Sequence, residues 1–218
     1  MTEDAMVYVI DDEEALRKSV RRLLEQVDLE VETFASVDGF LQAYTPGKPG
    51  CLVLDVRMPG TSGIDLQKKL ADDGIDVPVI IVTGHGDIQM AVDAMRRGAV
   101  DFLEKPYRAQ ALLDSIHRAL DGDRSRRRQR CDASRIAERF ARLTAREREV
   151  VDLVVGGKTN KEIASGVGVT PQAIDARRAR AMAKLGVRTV PQLVEYVLRH
   201  TWSEQGYALP ALEERRTA

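Results

Sequence analysis

Asp11, Asp12, Asp55, Thr83 and Lys105 each stand at the end of a short apolar run, in "VYVIDD" (7–12), "CLVLD" (51–55), "IIVTGHG" (80–86) and "VDFLEKP" (100–106). Three carboxylates gathered in one place repel one another and raise at least one pKa unless a cation compensates. An oxygen-seeking divalent ion is the natural compensator, and Mg²⁺ typically takes one or two carboxylates, waters and a phosphate oxygen. An ammonium and a hydroxyl can then hold the other oxygens of a phosphoryl group while one carboxylate attacks phosphorus. Asp55 is the best nucleophile among the three, because it is expected centrally in the sheet and the "MPGTSG" stretch after it leaves room for a donor. Singly, these residues have ordinary readings, Thr83 as a strand-end hydroxyl and Lys105 as a solvated turn residue. Their shared register at the ends of apolar runs makes them a set, with Arg57 and His85 flanking it.

The elements that position the set are legible from periodicity. Residues 6–10, 29–34, 51–54, 77–82 and 100–103 read as strands, alternating with helix-like segments at 13–27, 37–44, 63–73, 87–97 and 108–120, some opened by Ser36 or Asp87. Near-continuous apolar strands in a repeated βα pattern imply a parallel sheet covered on both faces, a doubly wound α/β domain. Ligands of such sheets bind beyond the carboxyl ends of the strands, where strand order reverses. All five polar residues belong to that edge.

A length of 218 residues fits two modest cores joined by a connector. The apolar stretches are strand-sized, well short of the roughly 18 residues that suggest a membrane span, and "MTEDAM" lacks a basic signal-peptide head, so a cytoplasmic protein without membrane association is expected. Cys51 and Cys131 are too few for a disulfide framework or a zinc site, and Cys51 reads as a buried small hydrophobe. No repeat is visible at solenoid periods. The net charge of −1 conceals an asymmetry: residues 1–120 carry 13 Lys+Arg against 21 Asp+Glu, and residues 121–218 carry 20 against 13. A basic C-terminal half points to a polyanionic partner, nucleic acid first.

After the first half, "DGDRSRRRQR" (121–130) reads as a solvated, partly helical connector, and helical character resumes in "SRIAERFARL". Four short helices follow at 145–155, 160–166, 171–185 and 190–200. "TARE" (144–147), "TNKE" (159–162) and "TVPQ" (189–192) fit the capping box, and Thr170 precedes a proline at the first helical position. The middle pair, joined by "GVGV" (166–169), has the form of a helix-turn-helix. On its second helix, Ile174, Ala181 and Leu185 mark a core stripe with Arg177 on the same side. The opposite face carries Gln172, Ala176, Ala179 and Ala183, flanked by Asp175 and Arg180. Alanine can touch a thymine methyl, Gln can pair with adenine, Asp can accept from cytosine and Arg can read guanine. Lys158, Lys161, Arg178, Arg180 and Lys184 can meet phosphates, and Asn160, Thr170 and Arg177, the last by snorkelling towards DNA, complete the candidate DNA-contacting set. His117 and His200 lie in helical stretches without matching ligands and read as structural.

Taken together, "VIDDEE", "LVLDVRMPG", "VTGHGD" and "DFLEKP" resemble the receiver domain of bacterial two-component response regulators, the FixJ-like branch most closely. The segment "LTAREREVVDLVVGGKTNKEIASGVGVTPQAIDARRARAMAKLGV" resembles the LuxR-type helix-turn-helix. Arg177 departs from it, standing where many members carry histidine. The resemblance implies a flavodoxin-like five-stranded parallel sheet of order 2-1-3-4-5 followed by an all-α, four-helix domain. The expected boundaries are receiver 4–120, linker 121–136, helix-turn-helix domain 137–202 and tail 203–218. It also implies that a sensor histidine kinase phosphorylates Asp55. Mg²⁺ would be bound by Asp12 and Asp55 with the carbonyl of Arg57, Asp11 assisting. Thr83 and Phe102 fall at the switch positions, Lys105 at the phosphoryl-binding lysine, and Pro106 where the family has a cis peptide. The chain is then a phosphoacceptor, not a turnover enzyme, whose site assists its own phosphorylation and dephosphorylation. It is expected to pair with a second copy when phosphorylated and to bind double-stranded promoter DNA, with RNA polymerase a further partner. Two other readings are open to the sequence: a DNA-binding regulator controlled without phosphorylation, and a Mg²⁺-dependent phosphotransferase or phosphatase with an Asp nucleophile.

Overall fold

Alternation within each strand builds the first half of the molecule. In the computed structural model, which describes residues 5–59, 63–84 and 88–204 apart from the side chains of 64 and 202–204, β1 (Met6–Ile10), β2 (Glu30–Phe34), β3 (Gly50–Asp55), β4 (Val79–Thr83) and β5 (Asp101–Glu104) form one parallel sheet. Its strand order is β2-β1-β3-β4-β5, as expected. Successive side chains of a strand point to opposite faces, so the central strands supply two cores. Tyr8, Ile10, Leu52, Leu54 and Ile81 pack on one face with Phe40, Leu66 and Ala94, which come from α2 (Val37–Ala43), α3 (Gly63–Asp72) and α4 (Ile88–Arg96). Val7, Val9, Cys51, Val53, Ile80 and Val82 pack on the other with Val20, Leu24, Leu112 and Ile116, which come from α1 (Glu14–Glu25) and α5 (Ala109–Ala141).

α5 is longer than the sequence suggests. The expected pause at Asp121 and Gly122 does not occur, and the stretch read as a partly helical linker is helical throughout. One mid-helix glycine costs only about 1 kcal/mol, and here Asp123, 2% exposed, accepts a hydrogen bond of 3.1 Å from the Gly50 amide at the start of β3. That contact holds the helix where composition alone would end it.

The remaining helices are α6 (Ala145–Val155), α7 (Asn160–Val167), α8 (Pro171–Leu185) and α9 (Val190–Glu204). Capping boxes open α6 at Thr144 and α7 at Thr159, and Thr170 accepts from the Ala173 amide ahead of Pro171. Val150, Val151, Ile163, Ile174, Ala181, Leu185 and Leu193 form their core, together with Ile136 and Phe140 of α5. Two compact units divide between Arg126 and Arg127. Among the described residues, no helix is long and apolar enough to cross a membrane. Residues 60–62, His85, Asp87 and positions 205–218 of the expected tail lie outside the described residues.

Candidate functional site

Strand order reverses between β1 and β3, and the carboxyl ends of these two strands carry Asp11 and Asp55. Asp11 is wholly buried, Asp55 is 6% exposed, and Asp12 is exposed. One ligand oxygen from each of the three lies within 4.8 Å of the others. Backbone amides aim them: the Glu13 amide donates to Asp11 Oδ1 at 2.9 Å and the Arg57 amide to Asp55 Oδ1 at 3.1 Å. Gly63 lies close behind Asp55, and a Cβ there would stand 2.3 Å from the Asp55 carbonyl oxygen, so no larger residue fits under the site.

Lys105 enters from the end of β5. Its Nζ donates to Asp11 Oδ2 at 2.6 Å and to Asp55 Oδ2 at 2.7 Å, and its amide donates to the Thr83 carbonyl at 2.8 Å, tying the β4 and β5 ends together. The peptide bond to Pro106 is cis. Burial pushes the Asp11 carboxyl above its ordinary value despite the lysine beside it. Burial alone would lower the Lys105 pKa, but its hydrogen bonds to Asp11 and Asp55 raise it overall, so it stays an ammonium. An all-oxygen donor set in which burial makes Asp11 costly to hold charged fits a hard divalent ion such as Mg²⁺.

Thr83 is wholly buried at the end of β4, and Phe102, half-buried on β5, packs against the core that includes Ile81 and Ala94. Arg17, which sequence reasoning passed over, donates to the Asp11 carbonyl at 2.6 Å. Its only sequence signal is a basic residue one helical turn into α1.

In the second unit the expected DNA-facing residues separate into two groups. Gln172, Ala176, Ala179, Arg180, Thr170, Lys158 and Lys161 are exposed, although Thr170 also caps α8 and Arg180 lies 4.0 Å from Glu147 Oε1. Some are bonded mainly to one another: Asp175 Oδ1 accepts from the Asn160 side-chain Nδ2 and from Arg178, the latter at 3.2 Å, and Arg178 also reaches Asn160 Oδ1 at 3.3 Å. Lys184 donates to Glu147 Oε2 at 2.6 Å. Arg177 is half-buried. Glu147, predicted only as a cap, is 5% exposed, and Lys184 together with the Thr144 amide holds its pKa down to about 2.

Two family descriptions match separate stretches of the chain. Residues 7–117 match the response regulator receiver domain, and residues 141–197 match the bacterial regulatory proteins of the luxR family. The transcriptional regulatory protein FixJ of Azorhizobium caulinodans is 41% identical over 91% of this chain and 94% of its own length. Nodulation protein W of Bradyrhizobium diazoefficiens is 42% identical over 87% of this chain and 84% of its own. The solved response regulator StyR shares 41% identity with a TM-score of 0.85, covering 90% of this chain and 99% of that one. Full-length FixJ from B. japonicum shares 37% with a TM-score of 0.56, covering 92% and 98%.

Proposed function

The chain belongs to the FixJ-like response regulators, transcription factors that join a receiver domain to a luxR-type DNA-binding domain, and from that premise we propose that Asp55 is the phosphoacceptor through which a sensor histidine kinase controls it. The observation that carries this reading is the Lys105 ammonium placed 2.6 and 2.7 Å from Asp11 and Asp55 at the carboxyl edge of the sheet. A carboxylate oxygen of Asp55 attacks phosphorus, an O–P bond forms, and the bond from phosphorus to the donor nitrogen breaks, the electron pair leaving with that nitrogen. Lys105 follows the new phosphoryl oxygens, exchanging its bond to the Asp55 carboxylate for one to the phosphoryl group. Asp11, Asp12, Asp55 and the carbonyl of Arg57 would hold Mg²⁺, which supplies charge neutralisation when bound. The same groups assist loss of the phosphoryl group to water.

A phosphoryl group adds charge and strong acceptors. The buried Thr83 hydroxyl is drawn towards them, and Phe102 repacks into the space released. The surface formed by α4 and β5, where Ile88, Val92 and Met95 are exposed, then joins a second copy about a two-fold axis, so that paired α8 helices reach two half-sites of promoter DNA. Gln172, Ala176, Ala179 and Arg180 read bases; Lys158, Lys161, Thr170 and Arg177 hold phosphates. Asn160, Arg178 and Lys184 first brace the helices and then turn their remaining donors to the backbone, while Asp175 orients Asn160 and Arg178 and keeps an oxygen free to accept from a cytosine amino group. The protein acts in the cytoplasm, where it meets its kinase, promoter and RNA polymerase. The domain reading is a receiver over 4–120, a connecting stretch over 121–136, a DNA-binding domain over 137–202 and a tail over 203–218.

Mobility shift on a candidate operator, with and without acetyl phosphate and Mg²⁺, tests the proposal. Wild type is expected to retard DNA at lower concentration when phosphorylated, and Asp55→Ala to show no such gain. Equal behaviour of both proteins in all lanes refutes it.

A further inference from the structure

The second unit contains a cavity that the DNA-reading surface does not use. It has a volume of about 590 Å³ and lies between the C-terminal part of α5, the turn after α8, and α9. Volumes of roughly 300–1,000 Å³ are those of small-molecule sites. Its charge is one-sided: Arg135, Arg139, Arg188 and Arg199 line it, against the two carboxylates Asp132 and Glu195. Glu195 is already engaged with Arg199 at 3.4 Å. Arg135 and Arg188 are exposed, and among the described residues neither side chain has an ion-pair partner.

Arg139 is anchored to the turn after α8. Its Nη1 donates to the Leu185 carbonyl at 3.0 Å, and Tyr196 lines the same cavity. Gly186, in the left-handed region with φ 74°, leaves room for it, since a Cβ there would stand 2.8 Å from Nη1. Ile136 and Val187 add apolar wall between the arginines. Guanidinium groups bind carboxylates and phosphates with planar, paired hydrogen bonds.

We propose that this cavity binds a small organic anion, a carboxylate or phosphate carried on a compact apolar body, and so gives the DNA-binding unit an input separate from Asp55. The apolar wall calls for a body, and the surplus of guanidinium groups calls for a negative head. A DNA backbone fits less well: the cavity adjoins the C-terminal end of α8, whereas helix-turn-helix proteins present the N-terminal end of this helix to the bases.

Amide shifts of the ¹⁵N-labelled full chain, titrated with hexanoate, hexyl phosphate, hexanol and inorganic phosphate, test the site. Hexanoate or hexyl phosphate is expected to shift the amides of Gly186, Val187 and Tyr196 saturably, and to bind at least ten-fold more tightly than hexanol or inorganic phosphate. Arg135→Gln with Arg188→Gln, both exposed positions, should weaken that binding at least ten-fold, whereas Asp55→Asn should leave it unchanged. The proposal is overturned if shifts map elsewhere, if hexanol binds as well as hexanoate, if the double variant retains affinity within two-fold, or if an operator-length duplex displaces the ligand. Because the Asp55→Asn chain is assayed too, this result is independent of whether Asp55 accepts phosphate.

Discussion

At the scale of single residues, charge balance decides what each site can do. Asp11 pays a desolvation cost for its charge that Lys105 only partly offsets, so a bound divalent ion should stabilise the receiver. A ligand at ten times its Kd adds about 1.4 kcal/mol, and thermal melts with Mg²⁺ should show that rise for wild type and a smaller one for Asp11→Asn at the same concentration. An undiminished rise in the variant would remove Asp11 from the ion's ligand set. Glu147 is the opposite case. Its folded pKa of about 2 lies below its ordinary 4.5, so its contribution is complete above pH 4.5 and is lost as pH falls towards 2. Glu147→Ala removes a cap and a charge-assisted bond to Lys184 together, and should destabilise by about 2 kcal/mol in urea titration at pH 7. At pH 2 the difference between variant and wild type should shrink, leaving chiefly the lost cap.

At the scale of elements, the central strands and α6 to α8 were legible because their signals are local. Apolar runs ending on Asp11, Asp55 and Thr83 fixed the sheet edge, and Thr144, Thr159 and Thr170 marked three helix starts that the structure reproduces. The course of α5 was not legible, because Asp123 acts through a contact with Gly50, 73 positions away in sequence, and such pairings leave no periodic trace. Removing the side chain with Asp123→Ala would leave a buried amide unpaired, a loss of about 1–3 kcal/mol, measured by chemical denaturation. Asn at this position keeps an acceptor and should restore most of it. Likewise nothing local announced that Lys184 bonds Glu147 or that Asn160 bonds Asp175, pairs that lie 37 and 15 positions apart. The exposed face of α4 carries its own consequence. Ile88 is 86% exposed and Met95 46%, a costly arrangement unless a partner covers it. Met95→Glu with Val92→Glu should leave phosphorylation of Asp55 intact yet keep the phosphorylated protein monomeric in sedimentation, whereas a dimer that persists would move the two-fold contact off α4.

At the scale of the whole molecule, the two halves divide the electrostatic work. The first 120 residues hold 13 Lys+Arg against 21 Asp+Glu, and the remainder 20 against 13, so only the second half can attract a polyanion strongly. Binding that releases counterions from DNA weakens with salt, the logarithm of the affinity falling by about 0.9 per phosphate contacted for each tenfold rise in salt. Lys161 is exposed near the start of α7 and Gln172 is exposed near the start of α8, so the two differ in the kind of contact they offer. Lys161→Gln should reduce the salt slope by about one and weaken all sequences alike. Gln172→Ala should leave the slope unchanged and relax preference at one base pair, by about 1–3 kcal/mol of discrimination. Titrations of both variants against operator and scrambled duplexes across a salt series separate these outcomes. If Lys161→Gln left the slope intact, the phosphate-binding surface would lie away from the α7 start. If Gln172→Ala bound both duplexes with wild-type discrimination, α8 would not be reading bases through its small-residue face.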